Sequence, residues 1–264
     1  MSSNGQIQYI GDSGGAVGSL WKSTDYGTTW VRITFFGQKQ WRGLCCSADG
    51  TRVAATEAGG RGYIWTSADA GGTWTEQTSA GFNEWRGISC DISGTKLVAC
   101  DSNTTKCLYT GDLSGSDFVW TQLSGTGAGT YTWRSAACSA DRTKIASGFS
   151  TSGNYVISLN SGASWTTSST LGSSIQAKSW ACASDFSVII VAGGANNGGI
   201  FKSTNMGVSF SRLTGELPAL GVPDYFSVAI SSDGTKMAAY DFNEGNIYIS
   251  SDSGDTWAAP AVLR

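Results

Sequence analysis

An all-β chain built from six copies of one small antiparallel sheet is the fold class this sequence predicts. Three observations predict it. A turn pattern, Ser-x-Asp-x-Gly-x-x-Trp, recurs from end to end. The composition is rich in Gly and rings, with 36 Gly, 11 Trp, 9 Tyr and 10 Phe in 264 residues. No stretch holds apolar residues at sustained helical spacing.

The clearest copies of the turn run from Ser23 to Trp30, from Ser67 to Trp74 and from Ser250 to Trp257. Their acids are Asp25, Asp69 and Asp252. Weaker copies pair Asn160 with Trp165 and Asn205 with Phe210. A stretched copy holds Thr110, Asp112, Gly115 and Trp120, with three extra residues between acid and ring. The acid or amide recurs every 43–48 residues. A fixed period in that range means one supersecondary unit per repeat. The chemistry of the turn is local. A short acceptor takes backbone N–H groups two residues on. Gly supplies a positive φ. The Ser two residues before the acid adds a side-chain bond to the backbone. A calcium loop needs several oxygen ligands at alternate positions. Each copy offers one, so no metal is expected.

Within a repeat, four runs read as strands. Residues 41–46 form the first, and 53–56 follow the Asp49-Gly50 turn. Residues 63–66 lead into the recurring turn, and the fourth run starts at Trp74. The first run is apolar on both sides of its alternation apart from Arg42, as in a strand buried on both faces. Four antiparallel strands per repeat, six repeats and no helix predict a six-bladed β-propeller, with residues 1–264 as one domain. One blade cannot bury both faces alone. At the N-terminus, residues 6–11 read as a second strand and 19–23 as a third, with no first strand before them. Seven residues follow Trp257 and finish a fourth strand. The first blade therefore has three strands, 23 in all. Its open inner edge exposes backbone groups. Water in the channel or a partner then meets that edge, whether in a homo-oligomer or a larger assembly.

Charge and composition exclude several functions. Only 14% of residues are charged and the net charge is −3, which argues against duplex nucleic acid. No apolar run reaches membrane-spanning length. Met1-Ser2-Ser3-Asn4-Gly5 lacks the basic and apolar regions of a secretory signal. The seven cysteines are odd in number, and none is spaced as in a zinc site. Cys46, Cys90 and Cys138 each lie five residues after a Trp, which reads as a repeated core slot. Reduced thiols fit a cytoplasmic setting, with an extracellular or virion-associated one as the alternative. The sequon at Asn103 does not alter this. The chain has no histidine, which removes the usual general base and every His-dependent nucleophile. No cofactor is expected and no catalytic residue is assigned. Carboxylates alone still permit glycoside hydrolysis.

The recurring turn resembles the Asp box, or bacterial neuraminidase repeat. That motif occurs in sialidases, sortilin-like receptors, xyloglucanases, a photosystem II assembly factor family and propellers of no known activity. The resemblance covers nearly the whole chain. It implies that the turn joins the third and fourth strands of each blade, on the face away from the binding site. Asp25, Trp30, Asp69, Trp74, Asp112, Trp120, Asn160, Trp165, Asn205, Phe210, Asp252 and Trp257 are then structural. The sialidases' Arg-Ile-Pro motif is absent here, and no tyrosine–glutamate pair can be assigned.

The opposite face is the place to seek a ligand. First strands begin alike at Trp41-Arg42, Trp85-Arg86 and Trp133-Arg134, with Tyr225 in the last repeat. Second strands end in Asp12, Glu57, Asp101 and Asp241. Two-residue turns at Asp49-Gly50 and Ser93-Gly94 set Arg42 opposite Glu57 and Arg86 opposite Asp101. Such cross-strand pairs stabilise a hairpin modestly. One reading is a ring of ion pairs and Trp caps that orders the blade tops. The other is a set of repeated sites for a glycan, with Trp stacking on the sugar and charged groups bonding its hydroxyls. The loops at Asn196-Asn197 and Asp241–Gly245 add amides and acids, and the long segment 214–224 is a lid or assembly contact. A non-catalytic, lectin-like module is the first expectation. A protein-binding or scaffold propeller is the alternative, and a sialidase-like hydrolase comes third.

Overall fold

The computed structural model describes residues 1–12, 18–36, 39–102, 107–124, 132–149, 153–169, 171–172, 175–194, 198–213 and 224–259. In these residues lie 22 strands in six antiparallel sheets. The chain divides into two compact units, Met1–Trp133 and Arg134–Arg264. Among the described residues no helix is long and apolar enough to cross a membrane.

The first unit holds three sheets. The first has β1 (Gln8–Gly11), β2 (Leu20–Ser23) and β3 (Val31–Ile33). The second has β4 (Gln40–Cys46), β5 (Val53–Ala58), β6 (Ile64–Ser67) and β7 (Thr75–Glu76). The third has β8 (Trp85–Cys90), β9 (Lys96–Asp101), β10 (Leu108–Ser114) and β11 (Asp117–Gln122). Leu20, Trp41, Val53, Ala55 and Trp74 join the first sheet to the second. Ile64, Trp85, Ile88, Leu97 and Phe118 join the second to the third. Burying apolar area at about 25 cal/mol per Å² is what holds such faces together.

The second unit repeats the plan. Its sheets are β12 (Trp133–Cys138, whose first residue closes the first unit), β13 (Ile145–Phe149), β14 (Tyr155–Ser158) and β15 (Thr166–Ser168); then β16 (Gln176–Cys182), β17 (Ile189–Gly194), β18 (Gly199–Ser203) and β19 (Ser211–Arg212); then β20 (Tyr225–Ile230), β21 (Met237–Asp241) and β22 (Ile247–Ser250). Tyr155, Trp180, Val191 and Phe201 pack between the first two of these sheets. Ile200, Tyr225, Val228, Tyr248 and Trp257 pack between the last two. The three-stranded first blade is present. In the last blade the described residues after Trp257 make one bridge, Ile249 to Ala258, so 22 of the 23 expected strands lie among the described residues.

Five copies of the recurring turn share one geometry. In the second blade, Ser67 Oγ donates to Asp69 Oδ1 at 2.8 Å and accepts the Gly71 N–H at 2.9 Å. Asp69 Oδ1 accepts the Thr73 N–H at 2.8 Å, and Trp74 Nε1 donates to the Gly71 carbonyl at 3.1 Å. Two successive residues are left-handed in each copy, such as Ala70 and Gly71 at φ 56° and 87°. Asn160 and Asn205 reproduce the backbone bond through Oδ1. The carboxyls of Asp25, Asp69 and Asp252 are held down at about 2, chiefly by bonds from Thr29, Thr73 and Thr256. The stretched copy is different. Asp112 sits within β10 opposite Val119, and the chain turns at Ser114–Asp117 as a plain hairpin. Its three extra residues extend the strands and no box forms.

A second turn also recurs six times, five times between the first and second strands of a blade and once ahead of β1. In the second blade the Ser47 N–H donates to the Arg52 carbonyl, and Ser47 Oγ to Asp49 Oδ1. Gly5, Gly50, Gly94, Arg142, Phe186 and Gly234 take the left-handed position. Ser2–Ile7 builds the same turn ahead of β1, with Ser2 N–H on the Ile7 carbonyl and Ser2 Oγ on Asn4 Oδ1. These turns link neighbouring sheets. Ser3 N–H donates to the Ala48 carbonyl and Ala48 N–H to Ile92. In the second unit Ala140 N–H donates to Ser184 and Ser184 N–H to Ser232. They also bond the box of their own blade, for Ala70 N–H meets the Thr51 carbonyl at 2.7 Å. Both turns therefore occupy the same end of each sheet.

Candidate binding face

The other end of the sheets carries a recurring irregularity. Near the second turn the ladder runs as the hairpin geometry predicts, with Cys46 opposite Val53 and Gly43 opposite Thr56. A register shift then intervenes, and Trp41, not Arg42, stands opposite Glu57. The third blade does the same, placing Trp85 opposite Asp101. Shifts recur between Ala177 and Ser179 and between Tyr225 and Ser227. A bulge inserts one residue without a cross-strand partner and re-aims its side chain. The expected pairings of Arg42 with Glu57 and Arg86 with Asp101 are thus corrected. The bulge moves each Arg out of register.

The bulges also tie blades together. Thr56 Oγ1 accepts the Gly43 N–H and donates to the Arg86 carbonyl of the next blade at 3.0 Å. In the second unit, Ser135 Oγ accepts the Trp180 N–H and Ser179 Oγ the Val228 N–H. A backbone group freed from its ladder is expensive if left unmade. Here the neighbouring sheet satisfies it.

Side chains at this end form two clusters, one in each unit. In the first unit, Lys39 pairs with Glu57 at 2.8 Å and lies 5.0 Å from the centre of the Trp65 ring. Arg86 pairs with Glu84 at 2.6 Å and bonds Ser102 Oγ through Nε. Tyr63 and the exposed Phe82 stack at 5.0 Å. Arg42 is exposed and Arg134, which heads the second unit, is half-buried. Asp101 is fully buried.

In the second unit, Lys178 pairs with Asp224 and lies 5.4 Å from the centre of the Phe226 ring. Phe226 and Phe242 sit 6.0 Å apart and are 47% and 61% exposed. Asp241 is buried and accepts the Asn243 N–H, which shapes the loop that presents Phe242. Tyr248 donates to Glu244 at 2.6 Å. Burial, then the charge of Asp241, pushes the Tyr225 hydroxyl up and keeps it protonated.

Trp41, Trp85, Trp133 and Tyr225 lie in the core, not on the face. Trp85 meets Tyr109 edge-on at 5.1 Å, and Phe36 packs on Trp41 at 4.6 Å. They cap the strand starts, and their faces are not open to a sugar. Lys39, Glu84, Ser102, Asp224, Phe226 and Phe242 are the residues that sequence reasoning left out of the site. Phe226 and Phe242 carried a readable signal, since each replaces or adjoins a polar residue at a position repeated in other blades. The loop at Asn196-Asn197 and residues 214–223 lie outside the described residues.

No protein-family model and no curated protein matches this sequence. Solved structures do match. One is YCF48 bound to D1 peptide, at 13% identity and TM-score 0.68, over 98% of this chain and 80% of that one. Another is the beta-propeller domain of Myceliophteria thermophila Cps50 (Swd1), at 12% identity and TM-score 0.71, over 98% and 84%. A third is a chain of a nidogen/laminin complex, at 15% identity and TM-score 0.66, over 95% and 90%. Identities this low speak to the fold alone. The chain is an all-β, six-bladed β-propeller.

Proposed function

We propose that this chain is a non-catalytic propeller that binds a protein or peptide on the face opposite its recurring turns. One observation carries the reading. Phe226 and Phe242 stand together in solvent, beside the Lys178–Asp224 pair. Exposed rings set among charged groups are how protein-binding hot spots are built. The similar propellers support it, since one holds the D1 peptide and another comes from a complex with laminin. The polar residues Arg42, Glu57, Arg86, Arg134, Asp101 and Asp241 then order or border the face. The glycan reading lacks its stacking platform, because Trp41, Trp85 and Trp133 are buried. We assign the five regular turns to the Asp-box type, and so to the sialidase-like superfamily. In all five the Ser Oγ accepts the Gly N–H and the acid or amide Oδ1 accepts the N–H four residues on, and in three the Trp Nε1 bonds the Gly carbonyl, which supports this.

Panning a phage-displayed peptide library against the chain tests the proposal, with a glycan array run beside it. Selected peptides that lose binding to the Phe226→Ala/Phe242→Ala variant support it. Glycan binding with no peptide selected overturns it in favour of the lectin.

A further inference from the structure

The third blade has a plain hairpin where other blades have the recurring turn, and a pocket lies beside it. In three other blades the turn glycine rests on the sheet before it. A Cβ on Gly71 would meet Ile33 at 3.1 Å, one on Gly207 would meet Ile157 at 2.5 Å, and one on Gly254 would meet Leu213 at 2.9 Å. The hairpin glycine of the third blade, Gly115, has nothing within 4 Å. Ser116, next in sequence, lines a pocket between the second and third sheets. The whole pocket lies within the first unit.

Its walls are apolar and its polar groups are donors. Ala54 of β5 faces Leu97 and Phe118 of the third sheet across the shared core. Thr66 stands in register with Ala54 and is 8% exposed. Its Oγ accepts Gln77 Nε2 at 2.9 Å, and among the described residues no acceptor meets its own proton. Arg52 is half-buried and runs along Gly94 of the next blade. Its backbone bonds Ser47, while its guanidinium has no hydrogen-bond or ion-pair partner among the described residues. No acid is among the residues that line the pocket. A guanidinium matches the two oxygens of a carboxylate. The space is small, ≈ 50 Å³ counted where the centre of a water can lie. That is room for about three to five waters, or a ligand of about four or five non-hydrogen atoms.

We infer that this pocket binds a short-chain monocarboxylate of acetate to propionate size. The carboxylate meets Arg52 and the Thr66 hydroxyl, and the alkyl end lies against Ala54, Leu97 and Phe118. The site is at the end of the sheets that carries the turns. It is separate from the Phe226–Phe242 face, and either stands without the other.

The probe is propionate, titrated into the ¹⁵N-labelled chain and followed by amide chemical shifts. Saturable shifts at Ala54, Leu97 and Phe118 are expected. Propionamide keeps the shape without the charge, and inorganic phosphate keeps the charge without the alkyl end. Each is expected to bind about tenfold more weakly or worse. Arg52→Gln should cost propionate a similar factor with the melting temperature unchanged. Ala54→Val fills the pocket and leaves Arg52 in place. Val98 and Ile190 occupy the equivalent position in the third and fifth sheets, so the sheet accepts the larger residue. This variant is expected to abolish binding, and Arg52→Gln decides alone if it does not fold. An absence of saturable shifts overturns the inference. So does propionamide or phosphate binding as well as propionate, full affinity in Arg52→Gln, or binding that survives in a folded Ala54→Val.

Discussion

The backbone N–H of Trp180 donates to Oγ of Ser135 at 3.2 Å, one blade back. The hydroxyl, on β12, thus joins its own sheet to the next one. Ser135→Ala leaves that N–H without this acceptor. An unmade buried bond costs about 1–3 kcal/mol. Urea unfolding is expected to show a loss in that range, and Ser179→Ala a similar one through Val228.

Gly43 tests the same junction from the first unit. A methyl there meets the Arg86 carbonyl at 2.7 Å and the Ile88 nitrogen at 3.0 Å. Overpacking of this kind costs about 1–3 kcal/mol. Gly43→Ala is expected to lower the urea midpoint with the slope unchanged.

Acid should act on the recurring turns. Asp25, Asp49, Asp69, Asp141, Asp233 and Asp252 are held at about 2, against an ordinary value of 3.8, by hydroxyl and backbone donors. A depressed carboxyl stabilises the fold above its unfolded value, and that stability fades as pH falls toward the folded value. Melting temperature is thus expected to drop between about pH 4 and pH 2. Asn160 and Asn205 make the same backbone bond without titrating. The triple variant Asp25→Asn/Asp69→Asn/Asp252→Asn should therefore fold at neutral pH and show a shallower acid slope. A slope as steep as the parent's would contradict the assignment.

The repeated cysteines bond backward. Cys90 Sγ donates to the Cys46 carbonyl, and Cys182 Sγ to the Cys138 carbonyl at 3.1 Å. Burial pushes the Cys46 and Cys182 thiols up. A thiolate is the reactive form. Alkylation at pH 8 followed by peptide mapping should find both protected in the folded chain and labelled in denaturant.

Much of this architecture was legible in the sequence, because its signal is local. Asp69, Gly71 and Trp74 fix a turn through contacts within eight residues, so the repeat shows in the letters. The bulges do not show. A bulge adds one residue to one strand, and only the partner's register reveals it, as where Trp85 displaces Arg86 from Asp101. Burial misled for a related reason. Trp41 heads a strand beside Arg42 and reads as a surface residue, yet Phe36 and Trp74 close over it from elsewhere. The stretched copy at Asp112 announced its failure through its three extra residues. Phe226 and Phe242 lie 16 residues apart, and only the pairing of β20 with β21 brings them together.

Peptide binding by the Phe226–Phe242 face is tested most directly by titrating a selected peptide against the chain and against Phe242→Ala. Removing one exposed hot-spot ring costs about 2 kcal/mol or more, roughly thirtyfold in affinity. That loss is expected with the melting temperature unchanged, since Phe242 is exposed. Equal affinity for both proteins would contradict it.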